Sequence, residues 1–285
     1  MQNKYFSHKD HSLEDHSFET GKKSRNTVRK KDLNLSIIDK KTLEIIVFIQ
    51  GLIHDFGKFM IYFQDYFLKN FNKELMKNFH LKDHSFISAL VAYEVIKQYT
   101  KDEMLAMIVF NSIRKHHGNL ESPLVDIANN RCQVNNLKKQ FDSLVLEDIE
   151  KFYDKHLLKY GINIKDIVIG IKEKIEDDPY EYLEDLRFEF IALIDMYEKD
   201  KEDVAIERFL LFNFLYSVLI DTDKKDSAKI TEEYFEGAVE KKISVKDFIK
   251  YMQEKHSEIY DPNKSINKLR DEFFNSVVDN KKIKK

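Results

Sequence analysis

The sequence predicts an all-α fold, a bundle of amphipathic helices around an aromatic-rich core. Two observations carry that expectation. Glycine and proline, which punctuate the many turns of sandwiches and barrels, number only seven and three in 285 residues. Apolar residues recur, segment after segment, at the three-four spacing that places them on one helix face. Twenty-two Phe and fourteen Tyr, with no Trp, supply the core, and a chain of this length can bury one sizeable domain.

Residues 1–31 are polar and carry His8, His11 and His16; Tyr5, Phe6, Leu13 and Phe18 are their only large apolar anchors, so no helix is assigned there. The first predicted helix spans 35–53, with Leu43, Ile46, Val47, Gln50 and Ile53 in phase, and closes at Gly57. A second, aromatic helix runs from Phe59 to Phe71. A third runs from His84 to Gln98, capped by Asp83 or Ser85, with Phe86, Ile87, Leu90, Val91, Val95 and Ile96 on its apolar face. A fourth, Glu103 to Lys115, ends in His116-His117-Gly118, where glycine suits a left-handed stop.

Beyond Pro123 the pattern is more charged, with helical pieces around 133–158, 164–176 and 180–198. Residues 121–202 therefore read as a helical insertion or a lid. Val204 to Ile220 is apolar nearly all round and is predicted to be buried. It ends in Asp221-Thr222-Asp223, and carboxylates at a helix C-terminus oppose the dipole and call for a cation. The plan is one domain over 1–230 and a charged helical extension over 231–285.

A formal net charge of −3 gives no global field for a nucleic acid. Charge is concentrated locally, basic over 22–31 and 281–285, acidic over 176–203. The single cysteine, Cys132, excludes an internal disulfide or a site built on several thiolates, and reads as a small apolar residue. The N-terminus has no apolar signal region, and no stretch approaches the ~18 apolar residues that span a bilayer. A soluble, cytoplasmic protein with no membrane partner is expected.

Residues 50–58, Gln-Gly-Leu-Ile-His-Asp-Phe-Gly-Lys, place His54 and Asp55 at the end of an apolar helix. Packing asks for neither. Adjacent side chains leave a helix ~100° apart, so the two can reach different sides of one metal site, and the two carboxylate oxygens of Asp55 can bridge a pair of ions. Gly57 permits a close approach by substrate or backbone, and Lys58 offers a point charge for a phosphate. Other polar residues sit at predicted helix ends: His16, His84, His116, His117 and Asp223. The intervals of 29 residues from Asp55 to His84 and 32 from His84 to His116 leave room for a helix out and a helix back. Five imidazoles and two carboxylates suit transition metals better than an all-oxygen cage. Two ions sharing Asp55 would stand ~4 Å apart, the arrangement used for in-line attack on phosphate esters.

The motifs are Leu13-Glu14-Asp15-His16, His54-Asp55-Phe56-Gly57-Lys58 followed by Phe63-Gln64, His84-Ser85 followed by Ser88-Ala89, His116-His117-Gly118-Asn119, and Leu219-Ile220-Asp221-Thr222-Asp223. In this order they resemble the HD-type nuclease domain of the type I CRISPR helicase–nuclease, CRISPR-associated protein 3, over roughly residues 5–230. His-Asp-x-Gly-Lys is common to the wider HD phosphohydrolase superfamily; His-His-Gly-Asn narrows the likeness to the CRISPR branch. Ser265 to Phe274 resembles the segment that precedes that family's helicase.

The resemblance implies an HD-domain helical bundle with an inserted helical segment. It implies a first divalent ion on His16, His54 and Asp223, a second on His84, His116 and His117, and Asp55 between them. Lys58 would face the scissile phosphate, and the Ser85 hydroxyl would support a ligand. His8 or His11 can compete for the place of His16, and Asp221 for that of Asp223. The ions implied are Mn, Fe, Co, Ni or Mg.

The activity implied is metal-dependent hydrolysis of single-stranded DNA in antiviral defence, on a target opened by a guide-RNA effector complex. A helicase subunit or domain is the expected partner, because the chain has no Gly-x-x-x-x-Gly-Lys-Ser/Thr phosphate loop of its own. Lys22, Lys23, Arg25, Arg114, Lys115, Lys224 and Lys225 are candidates for a basic track under the strand. Two alternatives stand beside it: a phosphohydrolase of nucleotides or cyclic dinucleotides, and a non-enzymatic module holding a structural metal.

Overall fold

The computed structural model describes residues 5–229 other than 10, 34, 71, 76 and 128–130. The predicted extension over 231–285, with its basic tail and the Ser265–Phe274 segment, lies outside the described residues. So does the side chain of Cys132.

The described chain is helical apart from one hairpin, β1 (Phe6–His8) antiparallel to β2 (His11–Ser12). The helices are α1 (Leu13–Arg29), α2 (Lys40–Ile53), α3 (Ile61–Leu68), α4 (Ser85–Thr100), α5 (Glu103–Arg114), α6 (Pro123–Asp126), α7 (Arg131–Asp142), α8 (Leu146–Leu157), α9 (Ile164–Asp177), α10 (Pro179–Glu198) and α11 (Glu202–Ser227). Caps mark several starts. Ser12, Asp39 and Asp102 each accept a hydrogen bond from the backbone N–H three residues on, at 3.4, 3.0 and 3.0 Å. Each satisfies a donor that the first helical turn leaves free, for about 1 kcal/mol.

Helix α2 is the axis of the bundle, since every residue from Ile45 to Ile53 is buried. Helix α1 is a 17-residue element that the sequence pattern did not assign. Its inward face is Leu13, His16, Ser17, Thr20, Gly21, Ser24 and Val28, small and polar at the helical spacing, so apolar periodicity could not reveal it. Small residues let two backbones approach. A Cβ on Gly51 would stand 2.7 Å from the Gly21 Cα, and one on Gly21 2.6 Å from the Phe48 carbonyl oxygen. Helix α1 is also fixed to α11 by a 2.8 Å hydrogen bond between Ser24 and Thr222.

Three other expectations need correction. The aromatic helix predicted from Phe59 is interrupted: Phe56–Phe59 form a 3-10 turn and α3 begins at Ile61. Residues 121–202 do not stand apart as a lid. Phe152 and Tyr153 of α8 pack on Phe59 and Phe56 at ring separations of 6.0 and 5.7 Å, and Phe190 of α10 lies 5.3 Å from Tyr93. Each of these helices buries one stripe in the common core.

Helix α11 is not buried all round. Leu211, Leu215, Val218 and Leu219 face inward, while Ile206, Phe209 and Leu210 are 50, 58 and 54 % exposed. It also continues past Ile220 to Ser227, helped by the Asp221–Lys225 ion pair one turn apart and by Lys224 and Lys225 beside the C-terminus. No single described helix is long and apolar enough to cross a membrane.

The α1–α2 approach has a direct consequence. Gly51→Ala is expected to destabilise the protein by about 1–3 kcal/mol, because the added methyl meets backbone that cannot turn aside. Gly170→Ala, on α9 with open space around it, is expected to stabilise by about 0.5–1 kcal/mol. Urea unfolding of the two variants checks both signs.

Candidate metal centre

Five elements converge on Asp55. His16 comes from the first turn of α1, and His54 is the C-cap of α2 with Asp55 next. His84 is the N-cap of α4, His116 and His117 follow α5, and Asp223 comes from the last turns of α11. The convergence needs Gly57. A Cβ there would stand 2.6 Å from the His84 carbonyl oxygen, so glycine is what lets the α2 end lie against the start of α4. Ser88 locks that approach, accepting from the Gly57 N–H at 2.8 Å and donating to the His84 carbonyl at 2.8 Å.

Asp55 is 1 % exposed, and its two oxygens face different partners. Oδ2 lies 3.3 Å from His16 Nε2 and 3.4 Å from His54 Nε2. Oδ1 lies 3.2 Å from His84 Nε2 and 3.6 Å from His116 Nε2. Asp223 Oδ1 completes the first group, 3.2 Å from His16 Nε2 and 3.6 Å from His54 Nε2. His117 completes the second, its Nε2 3.1 Å from His84 Nε2. Two sets of donors close enough to hold an ion thus meet at one carboxylate: His16, His54 and Asp223 on one side, Asp55, His84, His116 and His117 on the other.

The orientation of two imidazoles follows from their neighbours. His54 Nδ1 lies 2.7 Å from the Gly51 carbonyl and His116 Nδ1 2.6 Å from the Ile113 carbonyl, each three residues back in the last helical turn. A carbonyl only accepts, so each Nδ1 carries a hydrogen and each ring turns its Nε2 inward. His116 Nε2 and both Asp55 oxygens are buried without a hydrogen bond of good geometry. Groups this costly to bury unmet are the mark of a site for a cation, and the donor set of nitrogen and oxygen fits a divalent transition metal.

Burial holds His84 down to about 4 and His117 to about 3, the second assisted by the adjoining His116 and His84, so both are neutral donors near pH 7. Burial alone would lower His16 as well. Its hydrogen bonds to Asp223, Asp226 and Asp55 outweigh that and raise it to about 10. Burial would raise Asp55, yet the Lys58 and His54 charges, with the His116 and His16 contacts, hold it well below the usual carboxylate range.

Of the residues singled out from the sequence, His16, His54, Asp55, His84, His116, His117 and Asp223 are brought together. Lys58 joins them, its Nζ 2.7 Å from Asp55 Oδ2 and buried rather than presented to solvent. Ser85 does not: its hydroxyl bonds Asp83 at 3.1 Å and accepts from Arg114. Asp221 points outward to Lys225, 2.6 Å away. His8 and His11 lie beyond His16 rather than in its place. Gly118 is not left-handed; Asn70, Lys101, Gly161 and Lys229 are the described residues past helix ends that are.

The basic track is mostly spoken for. Lys22 pairs with Glu19, Lys23 with Asp226, Arg25 and Lys115 with Glu44 and Glu121, Arg114 with Asp83, and Lys225 with Asp221.

Sequence reasoning missed Asp226. Its Oδ2 accepts from His16 Nδ1 at 2.8 Å, which sets the tautomer and angle of that ring. The available signal was its place three residues after Asp223, one turn on along the same helix face.

A metal entering the first group must displace the His16 proton, whereas the second group has none to lose from His84 or His117. Affinity at the first group is therefore expected to rise with pH up to about 10, while affinity at the second changes little above about 4. Calorimetric titration in buffers of different ionisation enthalpy reads the released proton; a proton count of zero at neutral pH contradicts the assignment.

No curated protein and no solved structure matches this chain. Residues 13–156 match the family model described as HD domain. The match takes in just over half of the chain and all the residues gathered at the centre except Asp223. The chain therefore belongs to the HD domain family, whose members are generally metal-dependent phosphohydrolases.

Proposed function

We propose that this protein is a metal-dependent nuclease that cleaves phosphodiester bonds of single-stranded DNA, serving a guide-RNA effector complex and a helicase of type I CRISPR interference. The observation that carries the reading is the split of Asp55, one oxygen to each group of imidazoles. A shared carboxylate is how two cations are held close enough to act on one phosphate. The narrowing from phosphate ester to DNA rests on His116-His117-Gly118-Asn119 and its resemblance to the CRISPR branch.

Divalent ions in the two groups supply the Lewis acidity that activates water and offsets charge gathering on the phosphate oxygens. The chain's own residues do the rest. His54 and His116 are aimed before substrate arrives, because carbonyls of their own helices hold the far ring nitrogen. Asp223 and Asp55 face His16 at Nε2 while Asp226 holds its Nδ1. Lys58 provides a positive charge beside Asp55 for the phosphate to meet. Gly118 and Asn119, next to His117, are exposed, so a strand reaches the centre from that side. Phe56, Phe59 and Tyr153, buried and packed together directly after Asp55 in the chain and on α8, exclude water.

The test uses metal-loaded protein with circular single-stranded DNA and, in parallel, a panel of nucleotides and cyclic dinucleotides. Cleavage of the circle is expected, and His54→Ala and Asp55→Ala are each expected to lose it by more than ~100-fold, the upper range for removing an outer partner of a ligand, with unchanged helical circular dichroism. Turnover of a nucleotide with the DNA left intact assigns the site to small-molecule hydrolysis instead, and full DNA cleavage by both variants removes the metal centre from the reaction.

A further inference from the structure

One cluster stands beside the two donor groups and belongs to neither. The β1–β2 hairpin carries His8 and His11 to the outer side of His16, with ring centroids 5.1 and 5.4 Å from it, both edge-on. A ring nitrogen from each of the three falls within 4.8 Å of the others. Asp226 reaches into the same space, its Oδ2 3.5 Å from His11 Nε2. His16 is not free to act as a ligand there. Its Nε2 faces Asp55 and Asp223, and its Nδ1 is engaged with Asp226. His11 Nδ1 is buried with no hydrogen-bond partner, while the His8 nitrogens meet only hydroxyls that a cation can displace, Ser7 at 3.2 Å and Ser227 at 3.3 Å.

We propose that His8, His11 and Asp226 form a third cation site, for a divalent first-row transition metal, outside the pair that meets at Asp55. Two imidazoles and one carboxylate are a donor set that zinc, nickel or cobalt accepts, with solvent completing the shell. The hairpin is not a loose strap. Gln64 grips it by bonds to the Phe6 carbonyl at 3.0 Å and from the Phe6 N–H at 3.1 Å, which anchors His8 beside the centre.

The site is the weaker one for an electrostatic reason. Lys23 Nζ stands 2.6 Å from Asp226 Oδ1 and competes with any cation for that carboxylate. Asp226 also holds His16, so an ion on Asp226 is felt by the inner group through one hydrogen bond. The proposal rests on the inner groups being metal sites, but not on what they hydrolyse.

The experiment is metal counting on the tag-free full chain, stripped of metal and dialysed against graded free cobalt. Three equivalents are expected, the third at least ~10-fold weaker than the others, within the range by which single outer groups shift metal affinity. Paired His8→Gln and His11→Gln should remove that third equivalent and leave two. Lys23→Met should tighten it by ~10-fold, which a purely structural hairpin would not do. A wild type that binds only two equivalents, a paired variant that keeps three, or a paired variant that loses all its metal overturns the proposal. Three equivalents in a protein that leaves DNA intact would overturn the nuclease reading and leave this one standing.

Discussion

The bundle is organised around the need to keep one carboxylate charged inside an apolar core. Taking an ion such as the Asp55 carboxylate out of water costs several kcal/mol even after relaxation. At 1 % exposure Asp55 has no solvent to offset that cost. It is offset by position. Lys58 lies 2.7 Å away, and imidazoles from four different segments point their Nε2 atoms at its two oxygens. The ends of α1, α2, α4 and α5 all meet around this one group. The close approaches of Gly21 to Gly51 and of Gly57 to His84 are the two places where the backbone yields to let that happen.

The inner ends of two helices share one device. At the ends of α2 and α5 a histidine donates from Nδ1 to the carbonyl three residues back. That bond ties the ring to a carbonyl of the last helical turn, and it removes the freedom of the ring to turn. A cap and a preoriented donor are the same side chain. At α11 the division of labour differs: Asp223 faces the centre, Asp226 stands behind His16, and Asp221 faces water with Lys225. Three acids within six residues thus have three roles set by the helical period.

Much of this is legible in the sequence because it depends on spacing. The all-α class followed from scarce glycine and from the three-four pattern, and the helices bearing His54, His84 and His116 were placed by the same signal. What was not legible depends on contact. Helix α1 buries Ser17, Thr20, Gly21 and Ser24, residues that carry no apolar period, and its existence is decided by the glycine-to-glycine approach to α2. The end of α11 was set too early because, beyond the local Asp221–Lys225 pair, its last turns are held by Asp226 to Lys23 and His16 of α1, contacts that no local pattern records. Ser85 was given as support for a ligand by the resemblance, through its hydroxyl; the first turn of α4 directs it to Asp83 and Arg114 instead.

The cations that already serve these carboxylates differ in how readily they can leave. Lys58 and Lys23 end flexible four-carbon stems, so each can withdraw its ammonium without moving a helix. His16 cannot withdraw. It is fully buried, its ring is clamped between Asp226 and the Asp55–Asp223 pair, and it can change only by giving up its proton. An ion arriving at the centre therefore meets two kinds of resistance: the lysines must swing aside, and His16 must deprotonate in place. The first is a conformational event open to competition by a substrate phosphate. The second is a titration open to competition by pH. Because Lys58 and His16 both act on Asp55, the proposed nuclease would couple metal loading to phosphate binding through Lys58: a cation held by Asp55 would leave that ammonium, 2.7 Å from Asp55 Oδ2, free to meet the substrate.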